Sequence, residues 1–270
     1  MTSLAARAAA LLGETPARSE PLHGGDLSEV VRLHRASGSR AVAKSGPAAR
    51  AEAEMLAAIA ASGAPAPAVL AVSDDVLVME DLGGDTGLTG AWGDLGRAVA
   101  RLHAATGACH GWPRDHAFGR VAIPNAPAAT WPDFWAQRRL RAGIEELPPA
   151  LGRRIDRLCA GLSDRLPSAP RPALLHGDLW VGNVVAHYGR VRGLIDPACY
   201  HGHDEVDLAM LHLFGRPDPA FRAAYGPAEP GHAERAPVYT LWPALVHLRL
   251  FGAGYRGLVD GLLDACGVPG

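Results

Sequence analysis

An α+β fold in two parts is what this sequence predicts, and three observations predict it. Short apolar runs punctuated by Gly and Ser fill the first 80 residues, as hairpins require. Longer stretches of helical period dominate the remainder of the chain. Between them, Leu82-Gly83-Gly84 reads as a linker.

Residues 2–12 read as a short helix. Strands are expected around 21–23, 29–33 and 40–43. The Ala-rich stretch 48–61 has helical period and is stopped by Gly63 and Pro65. Two more strands, 69–72 and 76–79, flank Ser73-Asp74-Asp75. The first part is therefore a small five-stranded antiparallel sheet with one inserted helix. After the linker, helices are expected at 88–105, 134–147, 151–166, 206–214 and 239–250, with short strands at 173–175, 184–187 and 192–195. The division implied is 1–82 for a smaller lobe and 83–270 for a larger, mainly helical one.

Composition narrows the function. With 270 residues, 48% of them hydrophobic, the chain can bury one large core or two lobes. A net charge of −2 gives no electrostatic footprint for nucleic acid. Four cysteines match neither a disulfide framework nor a CxxC metal site, which fits a reducing compartment. No apolar run approaches the roughly 18 residues that span a bilayer. A cytoplasmic protein that binds neither membrane nor nucleic acid is the expectation.

The chemistry concentrates between residues 174 and 207. An apolar strand runs into His176-Gly177-Asp178, and Asn183 lies five residues beyond the Asp. That is the spacing of a kinase catalytic loop, in which Asp takes the proton of the attacking hydroxyl and Asn holds Mg²⁺. A second apolar strand ends in Asp196, thirteen residues after Asn183, where a kinase places its other metal-binding Asp. Carboxylate and carboxamide oxygens suit a hard cation. An Asx-rich turn between two strands is the plainer alternative for either motif alone.

The first part supplies partners. Lys44 ends the strand Ala41-Val42-Ala43-Lys44 and resembles the lysine that grips ATP phosphates. It precedes a helix carrying Glu52 and Glu54, of which Glu52 is the expected ion-pair partner and Glu54 the fallback. His23-Gly24-Gly25-Asp26, between the first two strands, could cover phosphates, although a plain hairpin turn reads equally well. Adenine is expected against backbone groups of Glu80 and Leu82, with Met79 beside the purine. Asp207, opening a helix, reads as a helix-start cap and a brace for the catalytic loop. Cys199, His201 and His203 crowd one short loop with no distant fourth ligand, which argues against zinc.

These motifs resemble the fructosamine kinase (ketosamine 3-kinase) family, within the protein-kinase-like superfamily that includes aminoglycoside phosphotransferases and choline kinases. The similarity is carried by His176 to Asn183 with Trp180, by Ile195-Asp196-Pro197-Ala198, and by Tyr200 through Gly202-His203 to Asp207 and Met210. Gly24-Gly25-Asp26, Gly111-Trp112, Phe118-Gly119, Pro124-Asn125 and His247 to Tyr255 also fit. The resemblance covers nearly the whole chain from about residue 18. Val181, Ile123 and the Ala-Val-Ala-Lys sequence before the helix depart from the family's common residues. None touches the Asp/Asn/Asp set.

The resemblance implies a bilobal protein-kinase-like fold and ATP with Mg²⁺. It implies phosphorylation of the sugar 3-hydroxyl of a ketosamine, on a small amine or a protein lysine, as deglycation repair or salvage. Asp178 is then the catalytic base, with Asn183 and Asp196 on the metal. Trp180, His176, Tyr200 and His203 are expected at the substrate. Asp26 stands where some relatives carry a redox-linked Cys, so no such switch is expected. Only ten residues separate Asp196 from Asp207, too few for a peptide-binding activation segment. A monomer is expected. The alternatives are another small-molecule kinase, acting on an aminoglycoside or choline, and a non-catalytic nucleotide-binding protein.

Overall fold

The structure, a computed structural model, describes residues 2–22, 28–84 and 87–270. The loop with Gly24, Gly25 and Asp26 lies outside the described residues. β1 (Arg18–Pro21), β2 (Val30–His34), β3 (Arg40–Ser45), β4 (Val69–Val72) and β5 (Val76–Glu80) form one sheet in the order β1-β2-β3-β5-β4. Every pairing is antiparallel.

The period of two along β3 and β5 explains how the sheet is covered. Ala41 and Ala43, with Val76 and Val78, face α1 (Leu4–Leu12), which buries Leu4 and Ala8 on them. The alternate residues Leu77 and Met79 face α2 (Ala49–Ala61) through Ala49, Ala53 and Leu56. Lys44 is paired in register with Leu77. It therefore projects from the α2 side of the sheet.

α2 is apolar on two sides. Met55 and Ile59 join a second core with Leu95, Val99, Leu174, Leu179 and Leu208. This helix is shared by the sheet and the helical part, and it couples the two. The linker is tied to the sheet as well: Asp81 pairs with Arg32 at 2.7 Å and Arg40 at 3.2 Å, and accepts the Gly83 N–H.

The helical part contains α3 (Trp92–Ala104), α4 (Trp131–Trp135), α5 (Pro149–Ala160), α6 (Glu205–Leu213), α7 (Pro219–Tyr225), α8 (His232–Phe251) and α9 (Arg256–Ala265). Three short two-stranded pieces accompany them. β6 (His116–Phe118) pairs with β7 (Val121–Ile123), and β9 (Val184–His187) with β10 (Arg190–Leu194). β8 (Ala173–Leu175) pairs with β11 (Tyr200–Gly202). This is the expected α+β architecture of a small sheet lobe and a larger helical lobe. Among the described residues, no helix is long and apolar enough to cross a membrane.

Some elements differ from the sequence expectation. The helix expected at 88–105 starts only at Trp92, after Gly90 at φ 74°. The helix expected at 134–147 is α4 running into a π-helical turn, Ala136–Leu140, then broken at Gly143 with φ 73°. The π turn carries Arg139 into the interior, where its guanidinium lies 4.0 Å from the Tyr200 ring centre. The helix at 239–250 extends back to His232 despite Pro237 and Pro243. β6, β7, β11, α7 and α9 were not expected.

Candidate active site

β8 is buried at all three positions and delivers the chain into His176-Gly177-Asp178. Gly177 has φ 80°, and a Cβ there would lie 2.0 Å from the Ala198 carbonyl oxygen. Only glycine fits this turn. Asp207, in the first turn of α6, holds the turn from beneath. Its carboxylate accepts the N–H of His176 at 2.7 Å, the N–H of Gly177 at 2.9 Å and Nε2–H of His103 at 3.1 Å. Burial alone would raise the Asp207 carboxyl. The hydrogen bond from His103 and the Gly177 N–H outweigh it and hold the group below the usual range.

His103 escaped the sequence reading. It lies on the buried face of α3 one turn after Val99, and its Nδ1 accepts from the Tyr225 hydroxyl at 2.9 Å. A histidine at core spacing on an amphipathic helix needs a buried partner, and that spacing was the available signal.

Asp178 faces the cleft with fewer donors. Asn183 donates Nδ2–H to the Asp178 carbonyl at 2.9 Å and to Oδ2 at 3.0 Å. Burial pushes the Asp178 carboxyl up to about 7; Asn183 opposes this, and Asp196 and Asp207 add to it. Both bonds use the Asn183 Nδ2, so its Oδ1 is not engaged by Asp178.

The strand β10 and the loop after it are stitched to the catalytic loop. Ile195 N–H donates to Asn183 O at 3.0 Å, Ala198 N–H to His176 O at 2.9 Å, and His176 Nε2–H to Ile195 O at 3.0 Å. Asp196 sits at φ 54°, a left-handed conformation that Asp tolerates better than most residues. It is held there at the functional site, as strained positions often are. Across the cleft, Lys44 Nζ lies 2.7 Å from Asp196 Oδ1 and 2.9 Å from Glu52. Burial would lower the Lys44 ammonium, but Glu52 and Asp196 outweigh it and raise its pKa. Glu52 is itself raised, by burial first. Glu54 points elsewhere and pairs with Arg114 at 3.2 Å.

Lys44 thus pairs with both Asp196 and Glu52, and Asp178 has no ion-pair partner among the described residues. The surplus of carboxylate, with the amide oxygen of Asn183, fits a divalent cation with hard oxygen preference.

Trp180 stands beside the loop, 37% exposed, its ring packed over Gly182, where a Cβ would lie 2.3 Å from it. Its edge meets Phe214 at 6.4 Å. Phe214 lies tilted against His247 at 4.5 Å, which meets Phe251 and Tyr255 at 5.4 and 5.0 Å. In the sequence this aromatic wall shows only as a likeness of motif, with no site attached.

Three expected substrate contacts are placed elsewhere. His176 is wholly buried and pins the loop through its bond to Ile195. Tyr200 is buried beneath Arg139. His203 lies beyond the Ala173 end of β8, away from the loop, because β11 runs antiparallel to β8. Its Nδ1 bonds the Tyr239 hydroxyl at 2.7 Å. Cys199 is buried against Met55, so no Cys199–His201–His203 metal group forms. Met79 is buried against α2 on the Lys44 side of the sheet. The Glu80 N–H is taken by Ala68 O, so it is not open to adenine. The Leu82 side chain packs on Gly193. Among the described residues its backbone has no hydrogen-bond partner.

Comparisons with known proteins show the family and the fold. The family model described as fructosamine kinase matches residues 2–267. A probable ketoamine kinase from Synechocystis is 38% identical over 203 residues, 70% of this chain and 67% of that one. The chain spans about two thirds of the length of the curated relatives it matches first. The crystal structure of a Thermobifida fusca protein, assigned as a fructosamine-3-kinase, superposes with a TM-score of 0.88 at 33% identity, covering 98% of each chain. The aminoglycoside phosphotransferase APH(4)-Ia superposes at 0.67 with 18% identity, over 98% of this chain and 95% of that one, which shows a shared fold. With its catalytic loop, its paired lysine and its full-length match to the family model, the chain belongs to the fructosamine kinase family.

Proposed function

We propose that this protein transfers the terminal phosphoryl group of ATP to the sugar 3-hydroxyl of a ketoamine. The observation that carries the reading is Asp178: a partly buried carboxylate with Asn183 as its donor, facing Lys44, Glu52 and Asp196 across one cleft. ATP with Mg²⁺ supplies the phosphoryl group and the charge that offsets the surplus of carboxylate.

The residues divide the work. Asp178 orients the sugar hydroxyl and takes its proton. Lys44, fixed by Glu52, binds phosphate oxygens, exchanging Asp196 for them. Asn183 and Asp196 would hold the cation, which would supply charge to the phosphates. The open Leu82 backbone receives the adenine edge, with Met79 behind it. Gly24, Gly25 and Asp26 cover the phosphates. Trp180 and the rings that continue from it take the sugar and its amine-bearing chain, because a partly exposed aromatic wall suits a sugar's apolar face and a cationic amine. The adduct enters whether it is carried by a free amine or by a protein lysine. The enzyme works as a monomer in the cytoplasm.

The test is Mg²⁺-dependent ADP release with ribulose-lysine, fructose-lysine, choline and kanamycin, with Asp178→Asn as control. Turnover on a ketoamine, absent from the variant, is the expected result. Turnover confined to choline or kanamycin would keep the chemistry and overturn the substrate.

A further inference from the structure

A second group of metal-ligating side chains gathers at the Ala173 end of β8, opposite the end that leads to Asp178. There β11 passes through Gly202 to His203. His203 meets Glu205, at the start of α6, and Glu229, on the connection between α7 and α8. One ligand atom from each lies within 4.8 Å of the others. Glu229 is the distant ligand that the loop around His203 lacks in its own sequence.

The His203 side chain is 5% exposed. Its Nδ1 lies 2.7 Å from the Tyr239 hydroxyl oxygen, which also accepts the Trp131 indole N–H at 3.0 Å. Among the described residues its Nε2 makes no hydrogen bond. Glu229 Oε2 and Asp204 Oδ1 stand 3.7 and 3.8 Å from it, too far for one. Two ligands about 2.1 Å from a tetrahedral ion stand about 3.4 Å apart. The spacing is therefore nearer to that across a cation than to that of a hydrogen bond. His232 Nδ1 is also buried without a hydrogen bond, 3.3 Å from Glu205 Oε1. Buried polar atoms normally have partners.

The charges leave room for a cation. Arg235 takes both oxygens of Glu205, at 2.6 and 2.7 Å, and Arg171 lies 3.6 Å from Asp204. Among the described residues Glu229 has only His203 as an ion-pair partner. Burial holds the His203 imidazole below its ordinary value, which keeps a lone pair on the ring. With Nδ1–H donating to Tyr239, that lone pair is on Nε2, beside the carboxylates.

We propose that His203, Glu229 and Glu205 form a structural site for a divalent cation of the zinc class. An imidazole with carboxylate oxygens suits Zn²⁺, whereas Mg²⁺ and Ca²⁺ favour oxygen alone. Tyr239 fixes the ring from behind, as outer partners of ligating histidines do. Glu229, 66% exposed at its side chain, turns in to close the site. The ion ties the α7–α8 connection to the first turn of α6. Residues two apart on a helix do not share a face, so α6 presents Glu205 to this site and Asp207 to the catalytic loop.

Calorimetric titration of the tag-free protein with Zn²⁺, in excess Mg²⁺, tests the site. Wild type is expected to bind one ion and to melt at a higher temperature as Zn²⁺ is added. Glu229→Gln alters an exposed side chain and leaves the fold intact. It is expected to weaken Zn²⁺ binding by at least about tenfold, since even outer partners of a metal site are worth that much, and to remove the rise in melting temperature. His203→Gln, with its unfolding transition checked in the absence of metal, is expected to do the same. Asp196→Asn, in the catalytic cleft, is expected to bind Zn²⁺ as wild type does. A wild type that binds no Zn²⁺, or binding that Glu229→Gln leaves unchanged, overturns the site. Binding lost in Asp196→Asn and kept in Glu229→Gln would place the ion in the catalytic cleft and overturn it equally.

Discussion

Asp178 lies at the tip of the catalytic loop and Asp207, on α6, beneath its base, and they ionise in opposite directions. At the base, Asp207 is fully buried yet held below the usual carboxylate range, because three N–H donors converge on it. At the tip, Asp178 feels burial and two neighbouring carboxylates with only Asn183 to offset them, and its carboxyl rises to about 7. Burial pushes both the same way, so the donors decide. The base of the loop is built to stay charged and still. The tip is built to exchange a proton.

The sharpest way to break that contrast is to neutralise each aspartate. Asp178→Asn is expected to lower kcat by about 10³-fold, within the span of general-base contributions, while leaving the melting temperature unchanged or higher. Single-turnover and calorimetric measurements on the same sample check both halves. A variant that retains a tenth of wild-type turnover would show that Asp178 is not the base.

Asp207→Ala should do the reverse first. It strands two buried N–H groups and leaves His103 without its carboxylate, and breaking such a buried network costs about 3–5 kcal/mol. Urea unfolding followed by tryptophan fluorescence measures it, at constant m-value. A midpoint equal to wild type would remove Asp207 from its bracing role.

The Lys44 side offers a smaller and more selective contrast. Glu52→Gln removes a buried charged partner from Lys44, and a charge-assisted bond of this kind corresponds to about 10- to 100-fold in the ATP-dependent rate. Glu54→Gln breaks an exposed pair with Arg114 and is expected to stay within about twofold of wild type. Steady-state kinetics against ATP separate them, and equal losses would mean that the choice between the two glutamates is wrong.

Much of this site was legible because it is local in sequence. The spacing of Asp178, Asn183 and Asp196 follows from one loop and one hairpin, so a short motif encodes it. Lys44 and Glu52 were legible because a strand end followed by a helix places them eight residues apart on one side of the sheet. What failed was non-local. His203 reads as part of the motif, but its position depends on β11 pairing antiparallel with β8, a register no single strand of three residues announces. The π turn that buries Arg139 against Tyr200 breaks helical period in a stretch that otherwise looks helical. The hairpin β6–β7 has three-residue strands, too short for alternation to show, and its base depends on Asn125 and Arg139.

The smallest effect expected is also the one that tests both ends of the loop together. The folded Asp178 carboxyl sits near 7, above the roughly 3.9 of an unfolded Asp. The unfolded chain therefore loses this proton first, and Asp178's contribution to stability declines as pH rises from about 4 to about 7. Asp207 has the opposite sign. Its folded pKa lies below the unfolded value, so its contribution is complete above about pH 4 and is lost only as pH falls further, through the folded pKa. Between pH 5 and 8 only Asp178 of the two titrates. Carbon-13 NMR of labelled aspartates in the ligand-free protein should show one carboxyl with a midpoint near 7, missing in Asp178→Asn. The same group should give kcat/KM for ATP an acid limb that steepens toward tenfold per pH unit. Because the Asp207 charge adds to the rise at Asp178, Asp207→Asn should move the midpoint down, by less than the burial that dominates it. If the midpoint stays in place while the fold holds, the two carboxylates do not sense each other, and the base of the loop supports its tip by geometry alone.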